Sequence, residues 1–195
     1  MFLNPSAKTN QAPLQNIDNV TRFHTSLPGF EPTKLISLDG VAKELGIHRV
    51  YLKAETSRLG LPAFKILGAS WGIFRAIASK LQLSLDTDLA TLALAAQKAN
   101  VELFAATEGN HGRAVARFAS ILSIKAVIYV REGMAQTTKD LIASEGAVVR
   151  PFPGSYDDAV AEAAKEAASR PGGLLIQDNS FDAYEEIPQV NLSCY

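Results

Sequence analysis

Val101-Glu102-Leu103-Phe104-Ala105-Ala106-Thr107-Glu108-Gly109-Asn110-His111-Gly112 passes from a short apolar run into a polar turn that carries two glycines. The run over 101–106 reads as a strand and the spacing over 110–122 as a helix, so the turn joins the two. The pattern then repeats. Lys125 to Val130 reads as a strand, 136–145 as a helix, 147–150 as a strand, 155–169 as a helix and 173–177 as a strand. Ser155 and Asp158 stand where a capping box opens the last of these helices. Short strands alternating with longer helices are the pattern of βαβ units around a parallel sheet. The expected fold class is therefore α/β, a three-layer αβα arrangement. Its ligand belongs beyond the carboxyl ends of the strands.

Upstream the order is less regular. Residues 38–46 have helical spacing that stops at Gly46, 49–54 alternate as a strand, and helices are expected over 65–80 and 88–100. Residues 1–21, rich in Asn, Gln, Pro and Thr, read as a flexible lead-in.

Composition narrows the function classes. The hydrophobic fraction of 47% with 20% charged residues is that of a soluble globular chain able to bury a core. Nineteen basic against twenty acidic residues give a net charge of -1, which argues against nucleic-acid or anionic-membrane partners. Apolar stretches fall far short of the roughly 20 residues of a bilayer span. The start has no apolar signal-peptide region, so a cytoplasmic location is the expectation by exclusion. Cys194 is the single cysteine, and His24, His48 and His111 lack ligand spacing, so no metal site is expected.

Two segments could carry chemistry. In the turn Thr107 to Gly112, amides that open a helix converge without intrahelical partners, and glycines permit close approach, as an anion site requires. An ordinary strand–helix turn explains the same residues. The turn matches neither the dinucleotide fingerprint nor the Walker loop. Lys65 lies in the apolar stretch Pro62-Ala63-Phe64-Lys65-Ile66-Leu67-Gly68-Ala69. Gly68, Ala69 and Gly72 follow it on one helical face, leaving either room for a flat ligand or a surface for another element to pack on. A desolvated lysine suits covalent chemistry with an aldehyde, whereas one that snorkels to solvent does not.

Together with Phe23 to Thr33, Leu59 to Gly68, Gly154 to Val160, and Gln177-Asp178 through Tyr184-Glu185-Glu186-Ile187-Pro188, these segments resemble the diaminopropionate ammonia-lyase family. Those are pyridoxal phosphate enzymes of fold type II, the tryptophan-synthase-β-like fold. The resemblance implies pyridoxal 5'-phosphate as cofactor and α,β-elimination of 2,3-diaminopropionate, a small amino-acid substrate, to pyruvate and ammonia. It implies that Lys65 bonds the cofactor and that Asn110 faces the ring's phenolic oxygen. Thr107, Gly109, Asn110, His111 and Gly112 would receive the substrate carboxylate, and Glu108 and Asp178 would serve as acid–base residues. The family has aspartate where this chain has Glu108, one methylene longer, so the reach of that base differs. A homodimer is the expected assembly.

The same resemblance divides the chain. Residues 22–65 would be the N-terminal part of an incomplete larger domain, 66–177 the smaller α/β domain, and 178–195 a return segment with an unmatched tail. The family's phosphate-binding glycine loop has no counterpart, as expected of a C-terminally truncated chain that is inactive alone. The alternatives are a non-catalytic scaffold or regulatory fragment and a serine or threonine dehydratase relative.

Overall fold

Leu103 and Ala105 face one side of their strand and Phe104 and Ala106 the other, and all four are buried. Burial on both faces requires helices on both sides of the sheet. A computed structural model, which describes residues 17–181 and 184–192, shows this arrangement. The strands β3 (Glu102–Ala106), β4 (Lys125–Arg131), β5 (Val148–Phe152) and β6 (Gly173–Leu175) form a parallel sheet in the order β5-β4-β3-β6. Leu103, Ala105, Ala126, Ile128 and Val130 pack in one core with α3 (Lys65–Leu81), α4 (Leu89–Lys98), α5 (Asn110–Ile121) and α6 (Gln136–Ser144). Phe104, Ala106, Val127 and Tyr129 pack on the opposite face against Ala159, Val160, Ala163 and Ala167 of α7 (Tyr156–Ala168). The expected three-layer αβα fold is observed.

The order of strands fixes where a ligand can sit. From β3 the chain moves outward through α5, β4 and α6 to β5, then returns through α7 to lay β6 on β3's other edge. The direction of winding therefore reverses between β3 and β6. Loops leaving such neighbours diverge to opposite faces and open a crevice beyond the strand ends. Thr107 to Gly109 leave β3 there, and residues 176–181 leave β6 beside them.

Several elements depart from the sequence reading. Residues 17–21, expected in the lead-in, belong to α1 (Ile17–Ser26), while residues 1–16 of that lead-in lie outside the described residues. Val20, Phe23 and Leu27 recur at helical spacing and dock α1 on α3. There Phe23 meets Trp71, Phe74 and Phe118 at ring separations of 5.2, 4.9 and 5.9 Å. Within 178–195, the expected return segment and unmatched tail, Glu186–Leu192 forms α8 against α3. Pro188 falls in its first turn, where proline costs no intrahelical hydrogen bond. The tail beyond residue 192, with Cys194, lies outside the described residues. Among the described residues no helix is long and apolar enough to cross a membrane.

The N-terminal unit is less well covered. β1 (Leu35–Ser37) pairs antiparallel with β2 (Tyr51–Lys53), and α2 (Asp39–Leu45) connects them. Leu35, Ile36, Val41, Leu45, Ile47, Tyr51 and Leu52 are all exposed. A two-stranded ribbon without a buried face is marginal in water. Hydrogen exchange of the purified chain should find the amides of 35–37 and 51–53 exchanging at least about a hundredfold faster than those of β3 and β4. Equal protection would show that this unit opens only with the whole molecule.

Candidate active site

Thr107 is buried at the carboxyl end of β3, where its amide donates to the Tyr129 carbonyl. Its Oγ accepts from Gly109 N at 2.9 Å and from Gly112 N at 3.0 Å. One hydroxyl thus gathers the turn into a tight loop. Gly109 takes a φ of 157°, a conformation side chains rarely adopt. Gly112 lies so close to Thr107 and Ile128 that a methyl group there would overlap both. Arg113 N makes the first intrahelical bond, to Gly109 O, so the amides of Asn110 and His111 open the helix without intrahelical acceptors. Two of the loop's expected anion donors, Gly109 N and Gly112 N, are engaged by Thr107. The positive end of α5 and the next two amides remain as the loop's anion-attracting feature.

The segment after β6 meets this loop. Ile176 N still bonds to Phe104 O at 2.7 Å. Beyond it the buried Gln177 side chain replaces the backbone, accepting from Ala106 N at 2.7 Å. Its amide nitrogen donates to the Tyr156 hydroxyl and to Asn179 Oδ1, each at 3.1 Å. Tyr184 accepts from Gln177 N and donates to the Leu175 carbonyl, both at 2.9 Å. The main chain is thereby free to turn out of the sheet at Asp178 while β3 keeps its hydrogen bonds. Sequence reasoning assigned no role to Gln177, Tyr156 or Tyr184. Their signal was the polar run that follows an apolar strand.

Lys65 begins α3, and its ammonium forms an ion pair with Asp178 Oδ2. The same carboxylate oxygen lies 3.7 Å from His111 Nδ1. Asp178 is about four-fifths buried and Lys65 about two-thirds. Burial works against an ionised Asp178. The positive charge that His111 can take up and the ammonium of Lys65 reverse this and hold the carboxyl below its ordinary range. Burial also disfavours the charged form of His111, pulling its pKa below the ordinary value against the opposing pull of Asp178 and the Ile176 carbonyl. His24 Nε2–H donates to the Leu67 carbonyl at 2.8 Å, tying α1 to the turn that carries Lys65.

The structure thus brings Lys65, Asp178 and His111 together with the Thr107 loop. Glu108 is not among them. Its carboxylate pairs with Arg131 at 2.7 Å in a half-exposed position. Burial pushes the Tyr156 phenol's pKa up, and the charges of Asp178 and, to a lesser extent, Glu108 act in the same direction. Asn110 is exposed at the start of α5. Gly68, Ala69 and Gly72 are buried in a helix that packs against α5 and α8.

A primary amine, a buried carboxylate and a helix N-terminus at one crevice form a donor set suited to an amino acid and a carbonyl group. Comparison with known proteins agrees. Residues 27–187 match the family described as pyridoxal-phosphate dependent enzyme. The chain is 36% identical over 173 residues to the diaminopropionate ammonia-lyase of Salmonella typhimurium, covering 87% of this chain and 43% of that one. It superimposes on the apo crystal structure of the Escherichia coli diaminopropionate ammonia lyase with a TM-score of 0.81 at 32% identity. That match covers 93% of this chain and 50% of the other. The same enzyme in complex with an aminoacrylate-PLP azomethine reaction intermediate gives 0.78 at 32% identity, covering 93% of this chain and 46% of that one. This chain therefore spans about half the length of these relatives or less. On the match over residues 27–187, it belongs to the family of pyridoxal-phosphate dependent enzymes.

Proposed function

We propose that the chain forms the lysine-bearing side of a pyridoxal phosphate site, in an ammonia-lyase that acts by α,β-elimination on 2,3-diaminopropionate or a similar small amino acid. The observation that carries this reading is the Lys65–Asp178 ion pair at the mouth of the Thr107 loop. The residues present fit the carbonyl end of the cofactor, where Lys65 would hold it covalently. Asn110 would face its phenolic oxygen. Among the described residues, no second glycine-rich turn follows β6 to cradle the phosphate. When bound, the cofactor supplies an electron sink for the charge left at the substrate's α-carbon.

The chain's own residues supply orientation and proton handling. The amides of Asn110 and His111, at the positive end of α5, attract the substrate carboxylate. Thr107 keeps them aimed by holding the loop closed. Asp178 Oδ2, in contact with Lys65 Nζ, receives and returns the proton of the lysine amine. Glu108 is the second carboxylate, held at the rim by Arg131. The turnover of the diamino acid yields pyruvate and ammonia.

Borohydride trapping tests the central role of Lys65. The purified chain is incubated with pyridoxal phosphate, reduced and digested, and the modified peptide is identified by mass. The adduct should concentrate on Lys65. Modification scattered over the exposed lysines, with Lys65 untouched, would refute the proposal.

A further inference from the structure

The mechanism above leaves one buried group without a task. His111 is 4% exposed, and its two ring nitrogens face different partners. Nε2 lies 2.9 Å from the Ile176 carbonyl, which can only accept, so the proton of the neutral ring resides on Nε2. Nδ1 then carries the ring's lone pair, with Asp178 Oδ2 3.7 Å away. Asp178 Oδ2 is also the atom that holds Lys65. One carboxylate oxygen thus stands between an ammonium that must lose a proton and an imidazole nitrogen able to take one. From the geometry we infer that His111 is a positioning residue whose Nδ1 is a second seat for the proton shed by Lys65.

The step balances. A proton leaves Lys65 Nζ for Asp178 Oδ2, and the carboxyl passes it to His111 Nδ1. Lys65 ends neutral with its electron pair on Nζ, Asp178 is ionised again, and His111 is an imidazolium. The total charge of the three groups does not change, so the transfer needs no counter-ion in a buried place. Lys65 arrives from α3 and Asp178 from the segment after β6. Tyr156 and Tyr184 lie within electrostatic reach of Asp178. Arg113, the next charged residue on α5 itself, is committed to Glu145.

Proton-coupled and purely structural roles separate in 15N NMR of imidazole-labelled protein, which requires no cofactor. The His111 signal is assigned by its loss in His111→Gln. We expect the Nε2–H tautomer at neutral pH and protonation at Nδ1 on acidification. In Lys65→Met, where a neighbouring positive charge is gone, His111 should titrate at higher pH than in the native chain. In Asp178→Asn, which removes the stabilising anion, it should titrate at lower pH. An Nδ1–H tautomer, or one titration midpoint shared by all three proteins, would overturn the inference. A second measurement rests on the functional reading that Lys65 is the reacting amine. Trapping of pyridoxal phosphate on Lys65 should be about tenfold slower in His111→Gln at pH 7 and unchanged at high pH, where hydroxide takes the proton. Equal slowing at every pH would show only a structural role. If the native chain traps nothing, the functional reading fails while the tautomer and its coupled titration are still decided by NMR.

Discussion

The Glu145→Ala chain unfolds at lower urea concentration than the native chain, with a stability loss of about 3 kcal/mol. Glu145 ends α6, and its side chain is only 4% exposed. One carboxylate oxygen takes Arg113 Nη2 at 2.8 Å and the other takes Arg117 Nε at 2.5 Å. The two arginines are one helical turn apart on α5, so this single carboxylate joins the helix behind the Thr107 loop to the next one. Arg113 is the costlier partner to strand, because its Nε is already buried without an acceptor. Removing the carboxylate leaves a guanidinium buried with fewer compensating contacts, which is worse than having neither partner. Hence the double variant Arg113→Met with Glu145→Met should recover most of the loss. Acid should act in the same direction. Burial alone would raise the Glu145 pKa, but the hydrogen bonds and charges of Arg117 and Arg113 bring it below its ordinary 4.5. A depressed folded pKa means that the contribution is complete above the unfolded value and is lost as pH falls through the folded one. Urea midpoints of the native chain should therefore fall below about pH 4.5 through this group, and those of the double variant should lack that component.

How much of this was legible beforehand depended on whether a residue's partner lay nearby in sequence. The βα units over 101–175 were readable because each strand and helix carries its own periodicity and boundary signals, as the Ser155–Asp158 capping box illustrates. Lys65 and the turn from Thr107 stood out by their own setting, and the resemblance added Asp178 and the order of all three along the chain. Their meeting could not be derived from spacing. It depends on β6 pairing with β3 rather than with β5, a choice made by α7 packing on the second sheet face. Helix α1 was missed because its polar residues outnumber the Val20, Phe23 and Leu27 stripe, which only α3 can reward with burial. The direction of Glu108 was equally invisible. Arg131, the cation it pairs with, sits on the neighbouring strand, and only the register of β3 against β4 brings the two together.

Gly112→Ala should lower stability by about 2 kcal/mol and reduce trapping of pyridoxal phosphate at Lys65. Helix propensity alone predicts the opposite, since alanine gains up to about 1 kcal/mol over glycine inside a helix. Crowding decides the sign. A methyl group at this position would overlap the Thr107 side chain and lie 2.8 Å from Ile128 Cγ2. Ile128 is fully buried in β4 and cannot retreat, and overpacking at such sites costs about 1–3 kcal/mol or more. Thr107 is therefore the side chain that must give way. Its movement releases the hydrogen bonds from Gly109 N and Gly112 N that close the loop, so the amides of Asn110 and His111 lose their aim. One methyl group thus damages the core and the crevice through the same contact. Gly40→Ala supplies the control, because a methyl group there, within α2, meets nothing within 4 Å. It should leave stability unchanged or raised and trapping at Lys65 unchanged. If Gly112→Ala behaves like Gly40→Ala in both measurements, then the tight Thr107–Gly112–Ile128 contact does not shape the loop, and the aim of its amides has another origin.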